Sequence, residues 1–171
     1  MKQITPLTQK QMDEIRRSWK IVDGVLVWAR DTNRGKKIND PVGLTVRPSG
    51  HANVMLTIDK KLKGFVLSRV VWFLTTDEYP LLEVDHIDCD PSNNYFTNLR
   101  LANRSEQCCN IKNTRNKFGH KGVYQTKGRN KWYVQIQKDG VLHSKGGFDS
   151  PELAMQYRQQ AANDLHGSFA R

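Results

Sequence analysis

Val84-Asp85-His86-Ile87-Asp88-Cys89-Asp90-Pro91-Ser92-Asn93-Asn94, followed by Asn98-Leu99-Arg100-Leu101-Ala102 and Asn103-Arg104-Ser105-Glu106, decides how this chain is read. Residues 83–88 are β-like, and the segment after them is rich in Asp, Pro, Ser and Asn, the residues of turns. Asn98 to Ala102 reads as a returning strand. Asn103 and Glu106 stand at the spacing of a helix N-cap and its third helical position, so a helix to about Asn113 follows. The local order is strand, long loop, strand, helix. Within it lies Asp85-His86. A neutral imidazole has a reference pKa of about 6.5 and can take a proton from water. A carboxylate is a hard oxygen ligand suited to Mg²⁺. Neighbours on a straight strand face opposite ways, so the pair serves one site only where the strand bends.

Upstream, Thr8 and Gln11 have capping-box spacing, which predicts a short helix to about Trp19. Asp23-Gly24 reads as the turn of a hairpin between Lys20-Ile21-Val22 and Val25-Leu26-Val27-Trp28. Residues 30–40 are polar and loop-like. Val42–Arg47 and Ala52–Ile58 alternate around Pro48-Ser49-Gly50, a second hairpin. From Phe65 to Leu74 the apolar residues recur at helical spacing, which predicts a buried helix.

Downstream, residues 122–126, 131–137 and 141–148 form three β-like runs, with turns at Gly128-Arg129-Asn130 and Asp139-Gly140. Ser150-Pro151-Glu152 starts a helix with Pro at its first position, and Gly167 ends it. Its expected face is Leu153, Tyr157, Gln160, Ala161 and Leu165, with Ala154 and Ala162 allowing close approach to a sheet. The fold class is α+β.

The chain has 171 residues, enough for one domain or two small ones, and 27 Lys+Arg against 17 Asp+Glu give a net charge of +10. That balance favours nucleic acid or an anionic surface and disfavours a cationic metabolite or a basic partner. Lys112, Arg115, Lys117, Lys121, Lys127, Arg129 and Lys131 follow one another without an acid between them, as in a phosphate-tracking surface. The longest apolar run, Val70 to Leu74, is too short to span a bilayer, so no membrane partner is expected. The N-terminus lacks an apolar signal core, which suggests a cytoplasmic setting. Cys89, Cys108 and Cys109 contain no Cys-x-x-Cys pair, against both a disulfide framework and a four-cysteine zinc site. Cys108 and Cys109 fit small apolar packing positions. His51, His120, His143 and His166 have no partners at metal spacing and receive no catalytic role.

The Asp85-His86 pair, Asn93-Asn94, Asn98-Leu99-Arg100, Glu106-Gln107 and Asn110 together resemble the HNH endonuclease family. Asp23-Gly24, the Gly50 hairpin and Arg69-Val70-Val71-Trp72 resemble the N-terminal part of phage-type HNH homing endonucleases. Ser68 stands where many relatives have His. The resemblance implies a ββα metal finger (His-Me finger). His86 would be the general base and Asn98 would hold the His loop. Asp85 would bind a divalent metal, Mg²⁺ or Mn²⁺, with Gln107 or Asn110 as the second ligand. Asn93 and Asn94 read as loop-forming.

Gly122-Val123-Tyr124, Lys131-Trp132-Tyr133-Val134, Gly146-Gly147-Phe148, Glu152-Leu153-Ala154 and Tyr157-Arg158 resemble the ethylene-response-factor (APETALA-type) DNA-binding domain. That implies a three-stranded sheet entering the major groove with one helix packed behind it. DNA-facing positions would be Tyr124, Lys127, Arg129, Lys131, Trp132, Gln135, Gln137 and Lys145. Arg100, Lys112, Arg115, Lys117 and Lys121 would add phosphate contacts. Trp132 and Tyr133 alternate faces, so one of the two belongs to the core.

The expected protein is a nuclease module over residues 1–118 and a DNA reader over 119–171. Its substrate is double-stranded DNA, cut to 5′-phosphate and 3′-hydroxyl ends in the host cytoplasm, with no obligate protein partner. The rival reading is a DNA-binding regulator on a nuclease scaffold that no longer cuts. Target sequence, nick against double-strand cut, and oligomeric state are not legible.

Overall fold

The computed structural model describes residues 4–103, 106–107 and 119–170. The chain divides into two compact units, residues 1–101 and 102–171. The expected limit at 118/119 borders residues outside those described.

The first unit opens with helix α1 (Gln9–Ser18). Its start is fixed by two reciprocal bonds. The Gln11 N–H donates to Thr8 Oγ1 at 3.3 Å, and the Thr8 N–H donates to Gln11 Oε1 at 2.9 Å. Strands β1 (Trp19–Val22) and β2 (Val25–Trp28) pair antiparallel. Asp23 and Gly24 turn between them at φ 50° and 77°, the left-handed pair that a two-residue hairpin needs. Strands β3 (Leu44–Val46), β4 (Ala52–Ile58) and β5 (Lys61–Val66) form an antiparallel sheet in the order β3-β4-β5. Along β4 every second residue, Ala52, Val54, Leu56 and Ile58, is buried.

Helix α2 (Leu67–Thr76) follows β5 directly. The spacing from Phe65 assigned two residues too many to this helix. Phe65 and Val66 end β5, opposite Val54 and Asn53. The strand before them was hidden because Lys61 to Gly64 are exposed and show no apolar alternation. Its turn uses Asp59 and Lys60, both at positive φ, with no glycine to announce it. Helix α2 is buried on most sides, and Val70, Val71 and Phe73 join Ile15, Trp19 and Val54 in one core. Strands β6 (Glu83–His86) and β7 (Leu99–Ala102) form a separate two-stranded sheet.

The second unit contains β8 (Val123–Gln125), β9 (Trp132–Lys138) and β10 (Val141–Phe148), antiparallel in the order β10-β9-β8. Helix α3 (Pro151–His166) starts with Ser150 Oγ accepting from the Leu153 N–H. The core is Val123, Trp132, Val134 and Ile136 from the sheet against Ala154 and Ala162 from the helix. The expected helix face is therefore rotated. Leu153 and Tyr157 are 49% and 42% exposed, because the helix is seated on its two alanines. Trp132 belongs to the core, not to a DNA-facing surface: it shares the inward parity of Val134 and Ile136 on β9.

Candidate active site

Arg69 prepares the entry to β6. From within α2, its Nη1 donates to the Pro80 carbonyl at 2.8 Å and its Nη2 to Glu83 Oε2 at 2.9 Å. The strand then delivers Asp85 and His86, both buried, at 6% and 5% exposure.

The loop after His86 is closed by its own polar side chains. The Ile87 N–H donates to the Asn98 carbonyl at 2.9 Å, and the Asp88 N–H to Asn98 Oδ1 at 3.1 Å. Asn98 Nδ2 donates in return to Asp88 Oδ1 at 3.0 Å and to the Asn93 carbonyl at 2.8 Å. Asn93 Nδ2 donates to Asp88 Oδ2 at 2.8 Å, and the Asp90 N–H to Asp88 Oδ1 at 2.8 Å. The carboxyl of Asp88 is pushed down to about 2, first by the Asp90 N–H, with the Asn98 and Asn93 amides and the His86 ring adding, against desolvation. Sequence reasoning gave Asp88 no role. The signal available was the Asp-x-Asp-Pro-Ser run, in which each acid can accept from the amide two residues on.

Asn94, read as loop-forming only, reaches the candidate base. Its Nδ2 donates to the carbonyls of Pro91 and Ser92, which leaves Oδ1 as the atom 3.2 Å from His86 Nε2. An amide oxygen accepts, so Nε2 is the donor in this contact.

Arg100 was expected to meet phosphate. Instead its Nε donates to Asp85 Oδ2 at 3.0 Å, with side-chain exposures of 15% for Arg100 and 9% for Asp85. The guanidinium compensates a buried carboxylate directly beside His86.

Both upstream hairpins touch the loop. A Cβ on Gly24 would lie 2.1 Å from the Tyr95 ring, and one on Gly50 would lie 2.6 Å from Pro91 Cγ. The second turn also sets the exposed ring of His51 with its centroid 5.7 Å from that of His86. Nothing local in the sequence marked this approach.

The start of the next helix is described. The Glu106 N–H donates to Asn103 Oδ1 at 2.9 Å, the Asn103 N–H to Glu106 Oε2 at 2.7 Å, and the Gln107 N–H to the Asn103 carbonyl at 3.0 Å. Asn110, Lys112, Arg115 and Lys117 lie outside the described residues. Among the described residues no group of three or more His, Cys, Asp or Glu side chains is gathered for a metal ion. The buried carboxylate of Asp85 is a hard oxygen donor of the kind that a Mg²⁺-like ion takes.

On the second unit, Tyr124 and Tyr133 stack with centroids 5.4 Å apart. Tyr133, Gln135 and Gln137 share the sheet face opposite the core. Lys127 and Arg129 are exposed on the turn between β8 and β9, and Lys121 is half-buried. Lys131 is ion-paired with Asp149. The register sets Lys145 opposite Val134, which puts it on the helix side of the sheet, away from the tyrosines.

Residues 67–109 match the HNH endonuclease family. The chain is 38% identical over 90 residues to Protein 3.8 of Escherichia phage T7, covering 52% of this chain and 73% of that protein. It is 32% identical over 87 residues to an uncharacterized HNH endonuclease of Acanthamoeba polyphaga mimivirus, covering 51% of this chain and 44% of that protein. No solved structure matches the chain. A histidine beside an acid at the end of a short strand, followed by an asparagine-locked loop, thus lies inside the matched segment. The chain belongs to the HNH endonuclease family.

Proposed function

We propose that this protein is a metal-dependent DNA endonuclease of homing type, with a nuclease module in the first part of the chain and a DNA reader in the second. The observation that carries the reading is His86. It is buried beside Asp85, and the Asn94 side-chain oxygen accepts from its Nε2, which holds the ring in one orientation. His86 takes a proton from water as the water oxygen attacks phosphorus, the P–O3′ bond breaks, and the leaving 3′ oxygen takes a proton from solvent. The products carry a 5′ phosphate and a 3′ hydroxyl. Asp85 and an amide of Gln107 or Asn110 would hold a Mg²⁺ or Mn²⁺ ion, which supplies positive charge where the phosphate and the leaving oxygen become more negative. Asn98 keeps the loop, and with it Asn94, in register with His86.

The second unit reads duplex DNA in the manner its resemblance to the ethylene-response-factor domain implies. The face of Tyr124, Tyr133, Gln135 and Gln137 and the cations Lys127 and Arg129 support that role. The net charge of +10 supports a phosphate-bearing substrate.

Nicking of supercoiled plasmid with Mg²⁺ or Mn²⁺ tests the reading, with duplex affinity measured in parallel. The wild type should nick, and His86→Ala should bind duplex equally but lose about 10²–10⁴ in rate. Gln107→Ala and Asn110→Ala, titrated against each metal, identify the second ligand. A wild-type chain that binds duplex and never cuts with either metal would instead be the regulator on an inactive scaffold.

A further inference from the structure

We infer that His51 is a second imidazole of the cutting site, donating a hydrogen bond to the phosphodiester attacked beside His86. The inference rests on the nuclease reading above and adds a residue outside the matched segment, which begins at residue 67.

The turn between β3 and β4 holds His51 in place. The Gly50 N–H donates to the Arg47 carbonyl at 2.8 Å, and the Arg47 N–H donates to the His51 carbonyl at 2.8 Å. Gly50, at φ 84°, lies so close to Pro91 that a Cβ would meet it at 2.6 Å. The turn is thereby seated on the loop that carries Asn94. The His51 ring stands edge-on to His86, at 5.7 Å between centroids and 70° between planes. Its Nδ1 lies 3.2 Å from Ser49 Oγ, which orients the ring.

Burial separates the two imidazoles. His86 is 5% exposed, whereas His51 is open to solvent. A phosphodiester that reaches His86 from solvent meets His51 beside it. The anion needs N–H or O–H donors, since its own oxygens only accept. Both Asn94 Nδ2 protons are directed at the Pro91 and Ser92 carbonyls, so the amide beside His86 has no N–H left to offer an anion. With Nδ1 accepting from the Ser49 hydroxyl, His51 presents an N–H at Nε2, and the imidazolium presents the same Nε2–H while donating from Nδ1 to the Ser49 oxygen. A donor fixed on the substrate oxygen is worth more as negative charge grows there, so its effect falls on the rate of cutting more than on affinity.

His51→Ala and His51→Gln in the full chain test this. Because the residue is exposed on a turn, neither change removes core packing. Single-turnover nicking by His51→Ala should fall by about 10²-fold, as for loss of one oxyanion donor. Duplex affinity should stay within about twofold, a small fraction of the energy in one phosphate contact. His51→Gln, which keeps an N–H donor, should recover part of the rate. The His86 ring resonances should be unchanged in both variants, which separates loss of a donor from displacement of the base. Equal rates for His51→Ala and the wild type overturn the inference, as does a loss that His51→Gln leaves unrelieved. If the wild type does not cut, the nuclease reading fails by itself, and an NMR titration with duplex DNA decides about His51. A His51 ring signal that moves on adding duplex supports the contact, and a signal that stays in place overturns it.

Discussion

The side-chain oxygen of Asn94 lies 3.2 Å from Nε2 of His86, and the two carbonyls that hold the Asn94 amide nitrogen decide which way round the amide sits. The proton on the imidazole is therefore assigned by the loop backbone, through one amide. Asn94→Ala should lower the nicking rate about ten- to a hundredfold, part of what a general base contributes, with duplex affinity unchanged. Asn94→Asp places a carboxylate against the ring and favours the imidazolium. If His86 is the base as proposed, it acts in its neutral form, so the rising limb of the pH–rate profile should move to higher pH.

Arg100 and Asp85 form a pair in which both side chains are largely out of solvent. Removing one member of such a pair leaves a buried charge, at a cost of about 3–5 kcal/mol. Arg100→Ala should therefore melt earlier than the wild type when no divalent ion is present. If Asp85 holds a divalent ion as proposed, Mn²⁺ should restore more of the lost melting temperature in Arg100→Ala than it adds to the wild type, by replacing the missing cation. Thermal melting of both proteins across a Mn²⁺ titration checks this.

The carboxyl of Asp88 is held at about 2 against an ordinary value of 3.8. A carboxylate depressed on folding adds stability above its unfolded pKa and loses it as pH falls through the folded one. The contribution of Asp88 should thus be complete above about pH 4 and disappear toward about pH 2. Asp88→Asn should melt at a lower temperature at pH 6, and the gap to the wild type should narrow between pH 4 and 2.

Helix caps and hairpin turns were legible in the sequence because their signals are local. Thr8 with Gln11, Asn103 with Glu106, Ser150 with Pro151, and the Asp-Gly pairs at 23–24 and 139–140 each state their geometry within four residues. Strand β5 was not legible, since its turn lacks glycine and its first half faces solvent. The choice of face at Trp132 and Tyr133 was left open by alternation alone and is settled by packing against α3. In the candidate site, the Asp85-His86 pair and Asn98 were legible through the resemblance of the whole motif, whereas Asn94 was read as loop-forming and its contact with His86 was not foreseen. The partners Arg100 and His51 were not legible, because their approach to Asp85 and His86 is set by how strands and hairpins are brought together.

The register of β9 and β10 separates two lysines that look alike in sequence. Lys127 lies on the open turn, whereas Lys145 is set on the helix side of the sheet. If the tyrosine face meets DNA, Lys127→Ala and Arg129→Ala should each lower the salt slope of duplex affinity by about 0.9. Lys145→Ala should leave that slope as it is. Fluorescence anisotropy over a range of salt concentrations distinguishes the two outcomes.

Arg69 reaches Pro80 and Glu83 from a helix whose neighbouring residues Val70, Val71 and Phe73 fill the core. The strand bearing Asp85 and His86 is thus tied to that helix by a guanidinium as well as by Val84, which lies in the same core. A genetic selection for clones that have lost cutting would then recover lesions in that helix alongside those at His86. Many of the helix alleles would be heat-sensitive, with cutting retained in the cold.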